Sequence, residues 1–235
     1  MQKMTVRELY ARTPDSALAD IQVSGWVRTV RDSKSFAFVA LSDGTHFKPL
    51  QIVLEESALN NYKEVARLNV GSAIEAVGTL VPTPGMQQPF ELKAERVTVV
   101  GGSSPEYPLQ KKQHSVEFLR TIAHLRPRTN LFSAVFRIRS LAAQIIHDFF
   151  YQKNFVYVHT PIITTSDCEG AGEVFRLTTL DPANAPRNAD GTVDYAKDFF
   201  GKEVGLSVSG QLNVESFCMA FRDVYTFGPT FRAER

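Results

Sequence analysis

Between Ile21 and Val100 the chain runs in short apolar segments broken by turn residues. IQVSGWVRTV, SFAFVALSDG and PLQIVL are rich in Val, Ile and Phe and punctuated by Asp43-Gly44, the pattern of strands joined by tight turns. Ahead of them, Thr5-Val6-Arg7-Glu8 reads as a capping box, in which hydroxyl and carboxylate each satisfy an orphan amide of the first helical turn. It predicts a short helix to about Arg12, with Val6, Leu9 and Tyr10 turned inward. SALNNYKEVARL places Leu59, Tyr62, Ala66 and Leu68 near a three-to-four spacing and predicts a second helix. SAIEAVGTLV and FELKAERVTVV then predict two more strands, separated by the turn of Pro82, Pro84 and Gly85. Three strands, a helix and two strands is the order of the five-stranded OB barrel, whose open face over its second and third strands binds oligonucleotides. Other small five-stranded barrels share that order.

Gly101-Gly102-Ser103-Ser104-Pro105 resists both helix and strand and marks a boundary. From Ser133 an amphipathic helix is predicted, with Val135, Ile138, Leu141, Ala142, Ile145 and Phe149 at helical spacing, ending near Lys153-Asn154. FVYVHTPIIT reads as a strand interrupted at Pro161, which lacks a ladder donor. The polar stretch 178–198 reads as a surface insertion, and strand signals return in EVGLSVSG and VYTFGPTFRAE. The expected class is α+β.

Composition changes this picture in one place. The whole chain carries 26 Lys+Arg and 25 Asp+Glu, which argues against a nucleic-acid partner until the charges are located. Residues 111–140 hold seven basic side chains and one acidic, net +6, against net −1 before and net −4 after. Such a segment suits a phosphate backbone; on charge alone it equally suits a solvated helix face with a basic hinge. No apolar run approaches a membrane span, and the N-terminus lacks the pattern of a cleaved leader, so a cytosolic protein is expected. Cys168 and Cys218 fit neither a disulfide framework nor a paired metal site and read as reduced thiols. The five histidines are scattered without ligand spacing, and no metal site is assigned.

Two segments, Asn154-Phe155-Val156-Tyr157-Val158-His159-Thr160-Pro161-Ile162-Ile163 and Gly228-Pro229-Thr230-Phe231-Arg232-Ala233-Glu234, resemble the first two motifs of the class II aminoacyl-tRNA synthetases. With a barrel before them they resemble the subgroup that charges Asp, Asn and Lys. Within it, His124 to Thr129, EGAGEVF, FFGKE and SGQLNVE are similar to the bacterial asparaginyl members. The resemblance implies an OB-fold anticodon-binding domain over 1–102, a hinge over 103–132, and over 133–235 the first part of an antiparallel-sheet catalytic domain, ending after its second motif. It further implies ATP as co-substrate, Mg2+ with ligands outside this chain, L-asparagine and tRNA(Asn) as partners, no membrane, and a cytoplasmic homodimer. On this reading residues 1–235 are the N-terminal portion of such an enzyme and do not form the adenylate alone.

The same resemblance implies roles for individual residues. Charge accumulates on the phosphorus oxygens as an adenylate forms, and a guanidinium with its planar fork of donors suits that charge. Arg232 matches the catalytic arginine bridging the α-phosphate and the substrate carboxylate, and Glu234 the acid that helps hold ATP. Glu169, in a glycine-rich loop with Glu173, matches the carboxylate for the amino acid's ammonium group. Ser209 and Gln211 match residues of the amino-acid pocket. The aspartyl relatives carry a lysine at the position of Val214, so its loss, with Glu215 alongside, favours asparagine over aspartate. Phe38 and Gln51 match the stacking aromatic and the base-reading amide of the anticodon face, with Arg28 and Arg31 beside the phosphates. By alternation alone Phe36 and Phe38 share a face, and either could be core. Two rival readings remain at this stage: a non-enzymatic RNA-binding module, and an aspartyl enzyme of relaxed tRNA choice or an asparagine-making relative.

Overall fold

The computed structural model describes residues 1–12, 14–166 and 174–233, and the chain divides into two compact units, Met1–Ile138 and Arg139–Arg235. The first unit is built on a barrel. β1 (Gln2–Lys3) leads into α1 (Val6–Ala11), and Thr5 and Glu8 form both halves of the expected capping box. Then come β2 (Leu18–Asp32), β3 (Phe36–Ser42), β4 (Leu50–Glu55), α2 (Tyr62–Val65), β5 (Ala73–Pro82) and β6 (Phe90–Gly101). β2 pairs antiparallel with β3 on one side and β5 on the other, β3 pairs antiparallel with β4, β4 runs parallel to β6, and β6 pairs antiparallel with β5. The five strands therefore close on themselves, and β1 adds as a short parallel edge to β2.

Alternation sets which side chains fill the barrel. Ala37, Val39 and Leu41 of β3 and Leu50, Ile52 and Leu54 of β4 are fully buried inside it, with Val6 and Leu9 of α1 joining the same core. The intervening residues Phe36, Phe38 and Ala40 point outward, which decides the question the sequence left open: neither phenylalanine is core. The predicted second helix shrinks to the four residues of α2. Ala58 and Leu59 instead turn back onto the Glu55 carbonyl, and Asn61 donates its side-chain amide to the Val97 carbonyl, 3.0 Å away, rather than capping a longer helix.

After the barrel, α3 (Val116–Thr121) and a 3-10 turn at Arg126–Arg128 precede α4 (Asn130–Gln152). α4 begins three residues before Ser133 because Thr129 receives the amides of Phe132 on its hydroxyl and Ser133 on its carbonyl. The second unit contains β7 (Val156–Tyr157), β8 (Ile163–Thr164), β9 (Arg176–Leu177), β10 (Val204–Leu206), α5 (Gln211–Phe221) and β11 (Val224–Tyr225). β8, β10 and β9 form an antiparallel sheet, and β11 runs parallel to β7. The strand predicted across VYTFGPTFRAE stops at Tyr225, ahead of Gly228 and of Pro229, which has no amide to give. The predicted stripe on α4 is not packed: Ile138, Leu141, Ile145 and Phe149 are each more than half exposed, and the helix buries no residue.

Candidate functional site

On the outer face of β2–β4, Arg31 lies opposite Phe38, and its guanidinium sits 4.8 Å above the phenyl centroid. Gln51 pairs with Ala40, two residues along β3, so Phe38 and Gln51 lie on one face. Gln51 donates through Nε2 to Glu91 Oε1 at 2.7 Å, and Gln88 donates to the same oxygen at 2.5 Å. The amide nitrogen is thus engaged and the carboxamide orientation fixed. A half-exposed ring, a stacked cation and a held amide make a surface able to take an unstacked base and probe its edge. Glu91 and Gln88 were not found from the sequence, because their contacts cross from β6 and the preceding turn to β4, about 40 residues away.

Arg28 is placed differently. It falls at the irregularity in β2 between Val27 and Thr29 and is half-buried. Its guanidinium donates to the Arg128 carbonyl and, at 3.0 Å, to Asn130 Oδ1, and burial lowers its pKa. It ties the barrel wall to the segment leading into α4 and does not stand beside Phe38.

In the second unit, the Ser207 amide donates to the Ile162 carbonyl at 2.7 Å and the Phe231 amide to the Ser207 carbonyl at 3.0 Å. These two bonds set the end of β10 between the two expected motif segments, and so bring Arg232 near Ser209 and Gln211 in the backbone. The Ser207 hydroxyl donates to the Ser209 carbonyl, and the Ser209 hydroxyl accepts from the Gln211 amide. Gln211 opens α5 and gives its Nε2 to Glu215 one turn on, at 3.2 Å. Gly210 is needed for this approach, since a Cβ there would stand 2.6 Å from Thr160 Oγ1. A pocket of about 30 Å³ lies here, lined by Tyr157, Thr160, Ser207, Gly210 and Phe227 to Thr230. That is room on the scale of a single water molecule. Asn213, which sequence reasoning passed over, lies on α5 and buries its Nδ2 without a hydrogen-bond partner among the described residues.

The insertion is anchored by Asp198, one of few buried polar residues among those described. Its carboxylate accepts from the hydroxyls of Thr178 and Thr179, at 2.5 and 2.7 Å, and from the amides of Thr179 and Phe199. Those hydroxyls, chiefly, hold its pKa well below the usual carboxylate range despite the cost of burial. A folded pKa depressed in this way contributes stability that is complete above the unfolded value, about 3.9, and is lost as pH falls below it. The Thr179 and Phe199 amides are therefore expected to keep the same hydrogen-exchange protection from about pH 7 to about pH 5. Asp198→Ala is expected to remove that protection throughout, and equal protection in the two proteins would contradict the anchoring role.

Comparison with known proteins bears on both units. Residues 21–100 match the family model described as an OB-fold nucleic acid binding domain, and residues 115–235 match that of class II tRNA synthetases (D, K and N). The chain belongs to the class II tRNA synthetases. It is 64% identical over 234 residues to an asparagine–tRNA ligase of Acetivibrio thermocellus and 60% identical over 234 residues to one of Desulfitobacterium hafniense. In both cases all of this chain matches 50% of the other protein, so the chain spans about half the length of these curated relatives. Its fold is similar to that of asparaginyl-tRNA synthetase from Pyrococcus horikoshii complexed with asparaginyl-adenylate, with a TM-score of 0.79 at 21% identity, covering 100% of this chain and 49% of that one.

The expected fold, an OB barrel followed by the start of a class II synthetase catalytic domain, is the one observed. Of the residues expected to serve this synthetase, Phe38, Gln51, Ser209, Gln211 and Arg232 lie in the two places just described. Glu169, Glu173, Glu234 and Cys168 lie outside the described residues, while Cys218 is a free, exposed thiol. No described helix is long and apolar enough to cross a membrane. Among the described residues no group of three or more His, Cys, Asp or Glu is placed to hold a metal.

Proposed function

We propose that this chain is the tRNA-reading barrel and the first part of the catalytic domain of an asparagine–tRNA ligase, acting in the cytoplasm. The carboxylate of L-asparagine attacks the α-phosphorus of ATP and expels pyrophosphate, and the terminal ribose hydroxyl of tRNA(Asn) then takes the acyl group as AMP leaves. Arg232 carries the charge that builds on the phosphorus oxygens, Glu234 helps hold ATP, and Ser209, Gln211 and Glu169 hold the amino acid. Phe38 and Gln51, with Arg31, read the unstacked anticodon bases. Arg28 contributes by holding the barrel wall to the segment that leads into α4 rather than by touching a base. The exposed stripe on α4 pairs two copies into a homodimer.

The observation that carries this reading is the likeness to asparagine–tRNA ligases through both units at once. The Phe231–Ser207 hydrogen bond supports it by bringing the arginine-bearing segment to Ser209 and Gln211. The test is transfer of labelled asparagine to tRNA by the natural polypeptide that contains this sequence. tRNA bearing the asparagine anticodon is expected to be charged, and the same tRNA with a substituted anticodon to be charged roughly 5- to 150-fold more slowly, since losing one stacked or hydrogen-bonded base costs about 1–3 kcal/mol. Equal charging of both would remove the barrel face from the account.

A further inference from the structure

The first unit holds a cleft of about 1020 Å³ that the synthetase reading does not use. Its floor is the outer face of β2–β3, including Trp26, Thr29, Ala40 and Ser42, and its other wall comes from residues 107–137. Arg28, Lys111, Lys112, Arg128 and Arg137 line it, and among the described residues no Asp or Glu does. The three arginines are held by neutral acceptors. Arg28 donates to the Arg128 carbonyl and Asn130, Arg128 to the Tyr107 hydroxyl at 3.1 Å, and Arg137 to the Gly44 carbonyl at 2.6 Å. They brace the walls while their charge stays uncompensated. Lys111 and Lys112 are exposed, and the ion pairs among the described residues all lie between Arg176 and Asp223, far along the chain.

The cleft also continues the base-reading face. Ala40 lines it, follows Phe38 by one step on the same side of β3, and pairs with Gln51. Trp26 and Phe47, 46% and 51% exposed, add ring surface to its rim. A cationic trough with aromatic edges, opening off a surface suited to unstacked bases, fits a polyanion that is already on that surface.

We propose that this cleft holds the sugar–phosphate backbone flanking the bases read by Phe38 and Gln51, with Lys111 and Lys112 as its phosphate contacts. The proposal rests on the anticodon reading above. RNA is favoured over a free nucleotide because the cleft runs on from the reading face.

The test is binding of a fluorescent RNA hairpin carrying the asparagine anticodon loop to the 235-residue chain, across a salt series. With Lys111 and Lys112 both changed to alanine, the slope of log affinity against log salt is expected to fall by about 1.4, from roughly 0.7 for each single-strand phosphate contact. Lys111→Arg with Lys112→Arg is expected to restore it. Phe38→Ala is expected to weaken binding with no change in slope. An unchanged slope in the double alanine variant overturns the cleft assignment and leaves the reading face standing. A flattened slope together with a silent Phe38→Ala overturns the anticodon reading, and the continuous path with it. Lysine-dependent binding of AMP alone, as tight as that of the hairpin, overturns the backbone assignment in favour of a mononucleotide site.

Discussion

Gly78→Ala is expected to destabilise the barrel by about 3 kcal/mol or more, a large part of the roughly 5–15 kcal/mol that holds a domain of this kind together. Gly78 lies at the irregularity where β5 meets β6, between the pairs Val77↔Arg96 and Gly78↔Ala94. A Cβ there would stand 1.9 Å from the Lys93 carbonyl oxygen and 2.8 Å from its carbon. Those are backbone atoms of a paired strand, so relief requires the β5–β6 ladder to part rather than a side chain to rotate. The same ladder helps close the barrel and carries Glu91 to Gln51, so the loss should reach RNA binding as well as stability. Denaturant unfolding followed through Trp26, the chain's one tryptophan, measures it. Gly101→Ala is the matched control, because nothing lies within 4 Å of its Cβ position. Equal midpoints for the two variants would show that the close approach at Gly78 is not what closes the barrel.

Arg232→Ala is expected to lower asparagine-dependent ATP–pyrophosphate exchange by the natural polypeptide roughly 100- to 1000-fold, the usual cost of removing one donor from developing oxyanion charge. The expectation combines chemistry with placement. A guanidinium stays protonated throughout the working range and offers a planar fork to phosphoryl oxygens. The amide of Phe231 is bonded to the Ser207 carbonyl, which fixes the backbone on the N-terminal side of Arg232 beside the segment that carries Ser209 and Gln211. Arg232→Lys keeps the charge and loses the fork, and should recover only part of the activity. A fall confined to KM would mean that Arg232 binds ATP without favouring the transition state.

The barrel was legible because its signals are local and repeated. Period-two alternation separated Val39 and Leu41 from Phe38 and Ala40, and the Thr5–Glu8 pair specified its own helix start. The ambiguity over Phe36 and Phe38 could not be resolved by alternation, which sorts residues into two faces without saying which one is inside. Pairing to β4 supplies that answer, since Leu50, Ile52 and Leu54 are apolar on the face they share with the β3 interior. The second unit was read less fully. α5 was missed because SGQLNVESFCMAF has no side-chain cap and alternates polar with bulky apolar residues in no clear register. The motif segments were recognisable by likeness, yet their meeting depends on two backbone hydrogen bonds to Ser207, and backbone groups leave no mark in a sequence. Arg28 shows the same limit from the other side. Its position beside a nucleic-acid face suggested phosphate, while its observed partners, a carbonyl and an amide about 100 residues later, are visible only in three dimensions.

Amino-acid choice tests the account most directly. Val214 lies on α5 one turn beyond Gly210, and Glu215 beside it accepts a hydrogen bond from Gln211; we propose that Val214 takes the position a lysine would need in order to serve a carboxylate substrate. A site of that kind leaves an aspartate side chain without a counter-charge, and an unpaired charge in a closed pocket costs far more than a mispaired methyl group. The measurement is ATP–pyrophosphate exchange by the natural polypeptide with asparagine or aspartate as the only amino acid. The account predicts exchange with asparagine at least 100-fold above that with aspartate, the order expected when a site rejects a misfit polar group. Exchange supported equally well or better by aspartate would contradict it.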